Sequence, residues 1–331
     1  MNKLLTSYIP YCFKSGLVGL LFLIGFQQGF CQQFPYFINT QENAFLINPA
    51  ITVIPTPVED EIRPIPKDQI KYILTANGRN QWAEFGDDSP QTYTAAFQGR
   101  FNVGRALLWA GPFFVKDQVG PSEFTSVGAK ASVHLYLANQ HYIQAGISLQ
   151  YLQYTLDPSK IISRDLDDPT LLINSNIDFQ NVVSPSIGVF YSGPYLYAGI
   201  SAPYLTILDP GVTRGFSNQI AGILGAYLTL SPQLLKLEPS LSVQQASNFP
   251  TRIDGTLKFW LYLQEDTPIW AGLGINNNQN YRVEFGFITD SNPNSINSPP
   301  YFKISFAYGN QIGLAAPLGN VLEGGINIMF P

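Results

Sequence analysis

Long segments in which apolar and polar residues alternate one by one set the strongest limit on how this chain folds. In the segment 252–264, every odd position holds an apolar residue or glycine, and every even position a polar or aromatic residue. In a β-strand the two sets point to opposite faces of a sheet, whereas on a helix they would be spread around the cylinder. Segments 126–137 and 141–155 repeat the pattern. The chain is therefore predicted to consist of two-faced β-strands.

These segments are longer than the strands of soluble proteins. They run for about ten to fifteen residues, whereas ordinary strands have five or six and about ten tilted residues cross a bilayer. Only 12% of the residues are charged, about half the usual share of a soluble domain. Because an open sheet edge in hydrocarbon leaves backbone groups unpaired, such a sheet must close. We predict an all-β fold, a transmembrane antiparallel up-and-down β-barrel of about 14 strands, with a soluble β-sandwich as the alternative. The strands are expected to begin near residues 69, 90, 105, 123, 140, 182, 195, 216, 235, 252, 268, 281, 300 and 320.

The connections between the predicted strands fall into a short set and a longer set. Outer-membrane barrels have short periplasmic turns and longer extracellular loops, so the first strand is expected to leave from the periplasm. Two segments fit less well, because 291–299 is long for a periplasmic turn and 276–280 is short for an outer loop. The short connections lie near residues 104, 139, 194, 232 and 266, and the longer ones cover 78–89, 116–122, 157–181, 206–214 and 311–319.

The first 31 residues are predicted to be a secretory signal peptide. Lys3 and Lys14 precede the apolar stretch 16–26, which is short for a membrane anchor, the alternative interpretation. Cleavage after Cys31 is favoured over lipidation of Cys31, because Phe30 is bulky where a lipoprotein signal has a small residue. In either case the mature chain has no internal disulfide, since the only other cysteine lies in the signal.

Residues 32–68 form a proline-rich N-terminal segment that precedes the barrel, residues 69–331. Six prolines between Pro35 and Pro66 cannot donate to a central β-ladder, so this segment is expected to be extended or irregular and to lie outside the sheet. A barrel of about fourteen strands is too wide for side chains alone to fill. Water, a folded-in loop, the proline-rich segment or a partner protein must therefore occupy its interior.

Charged residues of both signs fall on the polar faces of the predicted strands. In a barrel that face lines the lumen, where the charges either pair with one another or line a water-filled pore. Phe259 is expected to face lipid, and Lys258 beside it to tolerate exchange. The candidates for the lumen are Lys130, Arg252, Lys258, Arg282, Glu284 and Glu323.

Few residues are suited to catalysis or to metal binding. The net charge of −5 and a pI near 5.0 argue against nucleic acid as a partner. His134 and His141 have no second ligand at metal spacing, and Ser132 beside His134 makes only two members of a hydrolytic triad. We predict no enzyme activity, no metal and no cofactor. The acidic residues Asp157, Asp165, Asp167 and Asp168 lack calcium-loop spacing and are interpreted as a solvated loop.

Several short motifs occur in a fixed order along almost the whole chain. The first is Asn48-Pro49-Ala50, and the last is the segment 322–326. As an ordered set they resemble the PorP/SprF family, outer-membrane proteins of the type IX secretion system in Bacteroidota. The motif residues are Asn48, Pro49, Ala50, Arg79, Trp82, Pro90, Thr92, Asp117, Gly120 and Pro121, with further matches at 136–148 and 197–201.

The resemblance implies a non-enzymatic component of protein secretion in the outer membrane. Its partners would be outer-membrane lipid, a secreted adhesin or the C-terminal domain of that adhesin, and the periplasmic ring of the secretion system. The residues alone leave two other functions open. Polar strand faces are also typical of a porin or hydrophobic-solute channel, and Ser132 with His134 leaves a barrel hydrolase as a third hypothesis.

Overall fold

The computed structural model describes residues 37–54, 70–83, 86, 89–104, 106–137, 140–157, 180–205, 218–231, 234–247, 249–262, 268–277, 280–289, 300–311 and 319–330. The expected signal peptide 1–31 and the loop that carries Asp165, Asp167 and Asp168 lie outside these residues.

The described residues contain one short helix and fifteen strands. The helix, α1, spans Ala44–Ile47, and no helix in this part of the chain is long and apolar enough to cross a bilayer. The strands are β1 Tyr72–Gln81, β2 Gln91–Val103, β3 Ala106–Val119, β4 Ser122–Tyr136, β5 Tyr142–Leu156, β6 Gln180–Ser192, β7 Leu196–Tyr204, β8 Gln219–Ala226, β9 Leu228–Ser231, β10 Leu235–Ala246, β11 Arg252–Tyr262, β12 Pro268–Asn276, β13 Asn280–Ile288, β14 Tyr301–Gln311 and β15 Asn320–Phe330.

The sheet closes into a barrel of fourteen strand positions. Neighbours along the chain pair antiparallel, and β1 pairs with β15 from Tyr72↔Phe330 to Gln81↔Val321. β8 and β9 count as one position, because both pair with β10 and only Tyr227 separates them. The predicted barrel is thus confirmed, and each strand begins within three residues of its predicted start.

Alternation along each strand separates an apolar outer face from a polar inner face. On β11, Ile253 and Phe259 are exposed on the outside, whereas Asp254 and Lys258 are buried inside. This is the reverse of a soluble protein, in which large apolar side chains are buried and charges face water. The outer face suits acyl chains, and the inner face must satisfy its polar groups within the barrel.

The two ends of the barrel differ in the length of most of their connections. The exceptions are the long connection 289–300 at one end and the short connections 120–121, 247–251 and 277–279 at the other. We call the end with the connections 82–90, 157–179, 205–218 and 312–319 the loop end, and the end with 104–105, 137–141 and 193–195 the turn end. One predicted loop is wrong: most of the segment 116–122 is strand, because β3 continues to Val119 and β4 starts at Ser122, which leaves a tight turn at 120–121. Gly120 occupies the left-handed region of this turn with φ 56°, which glycine adopts at little cost.

Residues 37–54, which we call the plug segment, cross the lumen from the loop end to the turn end. The carbonyl oxygen of Phe37 accepts a hydrogen bond from Arg252 at the loop end of β11. Near the other end of the segment, Thr52 contacts His134 close to the turn end of β4. The described part of the proline-rich segment therefore lies outside the β-ladders but inside the barrel. Of the four possible occupants of the lumen, the structure shows this one.

Replacing Phe259 by Arg is expected to destabilise the barrel by roughly 2–4 kcal/mol, because a guanidinium near mid-membrane would face hydrocarbon. Phe259→Leu keeps an apolar side chain at the same position and serves as the control. Urea unfolding of protein that has folded into lipid bilayers measures both changes. Equal unfolding midpoints for the two variants would contradict the lipid-facing position of Phe259.

Candidate functional site in the barrel lumen

A tier of inward-facing residues runs around more than half of the barrel wall at one level of the strand pairing. Opposite charges face each other directly at two strand pairings, Glu238↔Lys258 and Glu323↔Arg79. Small or uncharged residues separate the remaining charges, including the two carboxylates of Glu284 and Glu323. In order from β10 round to β3, the tier consists of Glu238, Lys258, Gly272, Glu284, Ala307, Glu323, Arg79, Thr92 and Asp117.

Two wall lysines hold the carboxylate of Glu42. The Nζ atom of Lys303 lies 2.7 Å from Oε1 of Glu42, and that of Lys258 lies 3.6 Å from the same oxygen. Both ammonium groups also lie over the indole ring of Trp270, at 5.3 and 5.7 Å from its centroid. Two ammonium groups this close favour the charged form of the Glu42 carboxyl group.

The position of Lys258 corrects the expectation that this residue tolerates exchange. Its side chain is 2% exposed and also lies 4.0 Å from Glu284. The polar face of β11 thus contacts protein rather than open water. Removing the ammonium group would weaken the charge neutralisation of two buried carboxylates, which is costly in a low-dielectric interior.

A second ion pair joins β13 to β11. Arg282 donates two hydrogen bonds to Asp254, 2.9 and 2.7 Å long, and a further one to Thr256. Arg252 lies 3.5 Å from the same Asp254 carboxylate and donates to the carbonyl oxygen of Phe37 at 3.2 Å. This network links the barrel wall to the start of the plug segment.

Two wall carboxylates bind donors from the plug segment. Glu323 accepts hydrogen bonds from the backbone N–H groups of Ile38 and Asn39, at 2.8 and 3.3 Å, and from the Asn43 amide at 2.7 Å. Glu238 accepts a hydrogen bond from Gln41 at 3.0 Å. Within the wall, Glu238 also receives hydrogen bonds from Tyr197 and Trp260.

Wall donors also bind backbone carbonyl groups of the plug segment. Lys130 donates to the carbonyl oxygen of Ile51 at 2.6 Å and to that of Phe45 at 3.4 Å. Ser201 donates to the carbonyl oxygen of Ile47 at 2.9 Å. Lys130 is thus buried by the plug segment and does not face an open pore.

The Asn48-Pro49-Ala50 motif packs directly against β5 and β6. The Asn48 amide donates to the carbonyl oxygen of Val189 at 3.0 Å, and its side-chain oxygen accepts from the N–H of Ala50 at 2.9 Å. Gly146 permits this approach, because a Cβ atom there would overlap the backbone of Pro49 and Ala50. The motif therefore fixes the plug segment to the wall through close contact of main chains.

The other motif residues lie toward the loop end of the first strands, apart from the plug. Thr92 donates to Asp117 at 2.5 Å, and Arg79 is buried opposite Thr92 with a hydrogen bond to Gln81. The remaining members take part in backbone contacts: Trp82 donates to Asn320, Pro90 accepts from Gln81, Gly120 forms the β3–β4 turn, and Pro121 accepts from Asp157.

Two small cavities lie beside the plug segment, in the part of the chain that the structure describes. A cavity of about 10 Å³ lies next to Ala44 and Gly199, and one of about 30 Å³ lies next to Phe37 and Gln150. A single water molecule needs roughly 10–15 Å³. These two cavities therefore have no room for a solute.

The histidines occupy structural positions. Nε2 of His134 lies 3.0 Å from Oγ of Ser132 and 3.3 Å from Oγ1 of Thr52, so the plug segment covers this pair. His141 Nδ1 lies 2.6 Å from the Tyr191 hydroxyl. No group of three metal-ligating side chains occurs among the residues that the structure describes.

Several residues that line the lumen were not among the candidates predicted from the sequence. Lys303, Asp254 and Glu238 lie on inner strand faces, and the same alternation rule finds them. Glu42 gives no such signal, because the plug segment has no strand periodicity. Its partners are more than two hundred residues away along the chain.

A closed sheet with an apolar outside, a charged inside and a segment of its own chain through the lumen defines a plugged transmembrane β-barrel. The family model of the type IX secretion system membrane protein PorP/SprF matches residues 30–321. The chain therefore belongs to the PorP/SprF family.

Solved structures show the same fold at very low sequence identity. The TodX deltaS2S3 mutant monoaromatic hydrocarbon channel is 9% identical, with a TM-score of 0.51 over 87% of this chain and 93% of that chain. The toluene transporter TodX of Pseudomonas putida is also 9% identical, with a TM-score of 0.49 over 90% of this chain and 98% of that chain. Comparison with curated protein sequences finds no significant match. The likeness to the first channel shows the barrel fold alone.

Gly146→Ala is expected to unseat the plug segment, because the added methyl group overlaps the backbone of Pro49 and Ala50. Maleimide labelling of an Ala44→Cys reporter, buried in the lumen, should increase about tenfold or more. Gly255→Ala is the matched control, since the atom nearest to its added methyl group would lie 3.9 Å away. Equal labelling of the two variants would show that the close contact does not hold the plug.

Arg282→Met should lower the free energy of unfolding by roughly 3–5 kcal/mol, because it removes the two-hydrogen-bond partner of buried Asp254. Lys116→Met is the control. Its ion pair with Glu123 is 2.9 Å long but well exposed, so its loss should cost about 0–1 kcal/mol. Urea titration monitored by tryptophan fluorescence compares them, and similar losses would argue against a stabilising role for the lumen pair.

Proposed function

We propose that this protein is an outer-membrane component of the type IX secretion system that supports secretion or surface anchoring of a large protein with a C-terminal sorting domain, such as a gliding adhesin. The match of residues 30–321 to the PorP/SprF family carries the proposal. The plug segment supports it, because the chain's own polypeptide occupies the lumen where a simple pore would hold water.

The proposed partners follow from the same role. They are the secreted adhesin or its C-terminal domain, the periplasmic ring of the system and outer-membrane lipid. Export through the inner membrane would use the predicted signal peptide 1–31, which precedes the described residues. The apolar outer face supports placement in a lipid bilayer.

Deletion of the gene is expected to remove one large surface protein, because its anchoring would depend on this barrel. Quantitative proteomics of the cell surface, compared with the culture medium, tests this. A plasmid copy should restore the missing protein, and a copy with Phe259→Leu, which leaves the lumen unchanged, should do so equally well. An unchanged surface proteome in the deletion strain would refute the role.

A hydrophobic-solute channel is the second candidate, and a recess in the outer wall favours it. The recess has a volume of about 320 Å³ and lies where β6, β7 and β8 meet. Here the β6–β7 pairing ends at Ile187↔Ala202, and the β7–β8 register shifts between Ser201 and Tyr204. Its lining is mainly apolar: Ile187, Gly188, Val189, Ile200, Ser201, Ala202 and Ile220.

Planar-bilayer recording separates the two functions. The secretion role predicts that purified protein is electrically silent, since the plug segment occupies the lumen. Steady ion current without any partner would favour a porin, and uptake of an apolar solute by liposomes containing the protein would favour the hydrophobic-solute channel.

A further inference from the structure

The lumen wall binds main-chain groups of the plug segment as well as its side chains. Glu323 accepts backbone N–H groups, whereas Arg252, Lys130 and Ser201 donate to backbone carbonyl oxygens. Every polypeptide carries these groups whatever its side chains are. The wall can therefore bind another polypeptide segment of similar conformation with part of the same hydrogen bonding.

The positive charge of the wall favours a segment that carries a negative charge. Within the plug segment Glu42 is the only ionisable residue, and it lies between Lys258 and Lys303. Among the described wall residues, seven buried cations face only four buried carboxylates. The cations are Arg79, Lys130, Lys236, Arg252, Lys258, Arg282 and Lys303, and the carboxylates are Glu238, Asp254, Glu284 and Glu323.

Because of this surplus of positive charge, the wall favours a segment that carries a carboxylate. Without the plug segment, Lys258 would keep Glu284 at 4.0 Å, whereas Lys303 would lose its 2.7 Å partner. A buried ammonium group without a counter-charge is costly. A replacement that brings a carboxylate to this position is therefore favoured over a neutral one.

We propose that the barrel lumen is a binding channel for a polypeptide segment with an acidic residue, which replaces the plug segment and places a carboxylate between Lys258 and Lys303. Naming the secreted protein as the source of that segment rests on the proposed function. The chemistry of the site does not depend on it. Occupation by the protein's own segment then keeps the channel filled until the partner arrives.

Two synthetic peptides with the sequence of residues 37–54 test the site, one with Glu and one with Gln at position 42. The receptor is the full chain, with residues 37–54 replaced by a Gly/Ser sequence of equal length and its folding checked by heat-dependent mobility on gels. Fluorescence anisotropy should show the Glu peptide binding about tenfold tighter or more, the value expected for a charge-assisted contact.

Substitutions in the receptor show whether the difference in affinity between the two peptides arises at the proposed site. Lys303→Gln should reduce the preference for the Glu peptide several-fold, and Lys303→Arg should retain it. Lys130→Gln should weaken both peptides by the same factor, because Lys130 binds carbonyl oxygens. Equal binding of both peptides, no binding of either, or a preference that survives Lys303→Gln would overturn the proposal.

If the Gly/Ser receptor does not fold, the full chain with Glu42→Gln and Ala44→Cys tests the same preference for a carboxylate. The Glu peptide should then accelerate maleimide labelling of the introduced cysteine by displacing the weakened plug, and the Gln peptide should do so much less. Equal effects, or none, would refute the site. Loss of a surface protein in the deletion strain would still support the proposed function, so the two proposals can fail separately.

Discussion

The absence of hydrogen-bonding partners in the hydrocarbon core is the constraint on which the rest of this structure depends. Each backbone N–H and C=O group at membrane depth must pair within the sheet. Pairing of β1 with β15 achieves this, because it removes both open edges. Once the sheet is closed, alternation along every strand divides the residues into a lipid-facing set and a lumen-facing set.

Closure creates a second requirement, since a barrel this wide leaves an interior that wall side chains do not fill. The plug segment occupies this interior, and its polar groups pair with polar groups of the wall. Glu323 receives its N–H groups, Lys130 and Ser201 supply donors for its carbonyl oxygens, and Lys303 neutralises Glu42. The opposed charges of the wall are stable inside because nearly every one has a partner, either on a neighbouring strand or on the plug.

The PorP/SprF family consists of type IX secretion system membrane proteins. In this member, the lumen wall binds main-chain groups of the chain's own plug segment. The apolar recess beside β7 lies in the same wall that holds Ile47 through Ser201.

The sequence by itself determined the barrel, the strand positions and the two faces, because alternation is a local property that each strand carries. It misjudged the segment 116–122, since the polar residues there continue strands that extend past the apolar band. It also misjudged how well Lys258 tolerates exchange, because the sequence of a polar strand face does not show whether that face contacts water or protein. Only the tertiary structure decided what fills the lumen. The contacts of Glu42 with Lys303 and of Pro49 with Gly146 join distant parts of the chain, and closure of the sheet is what brings them together.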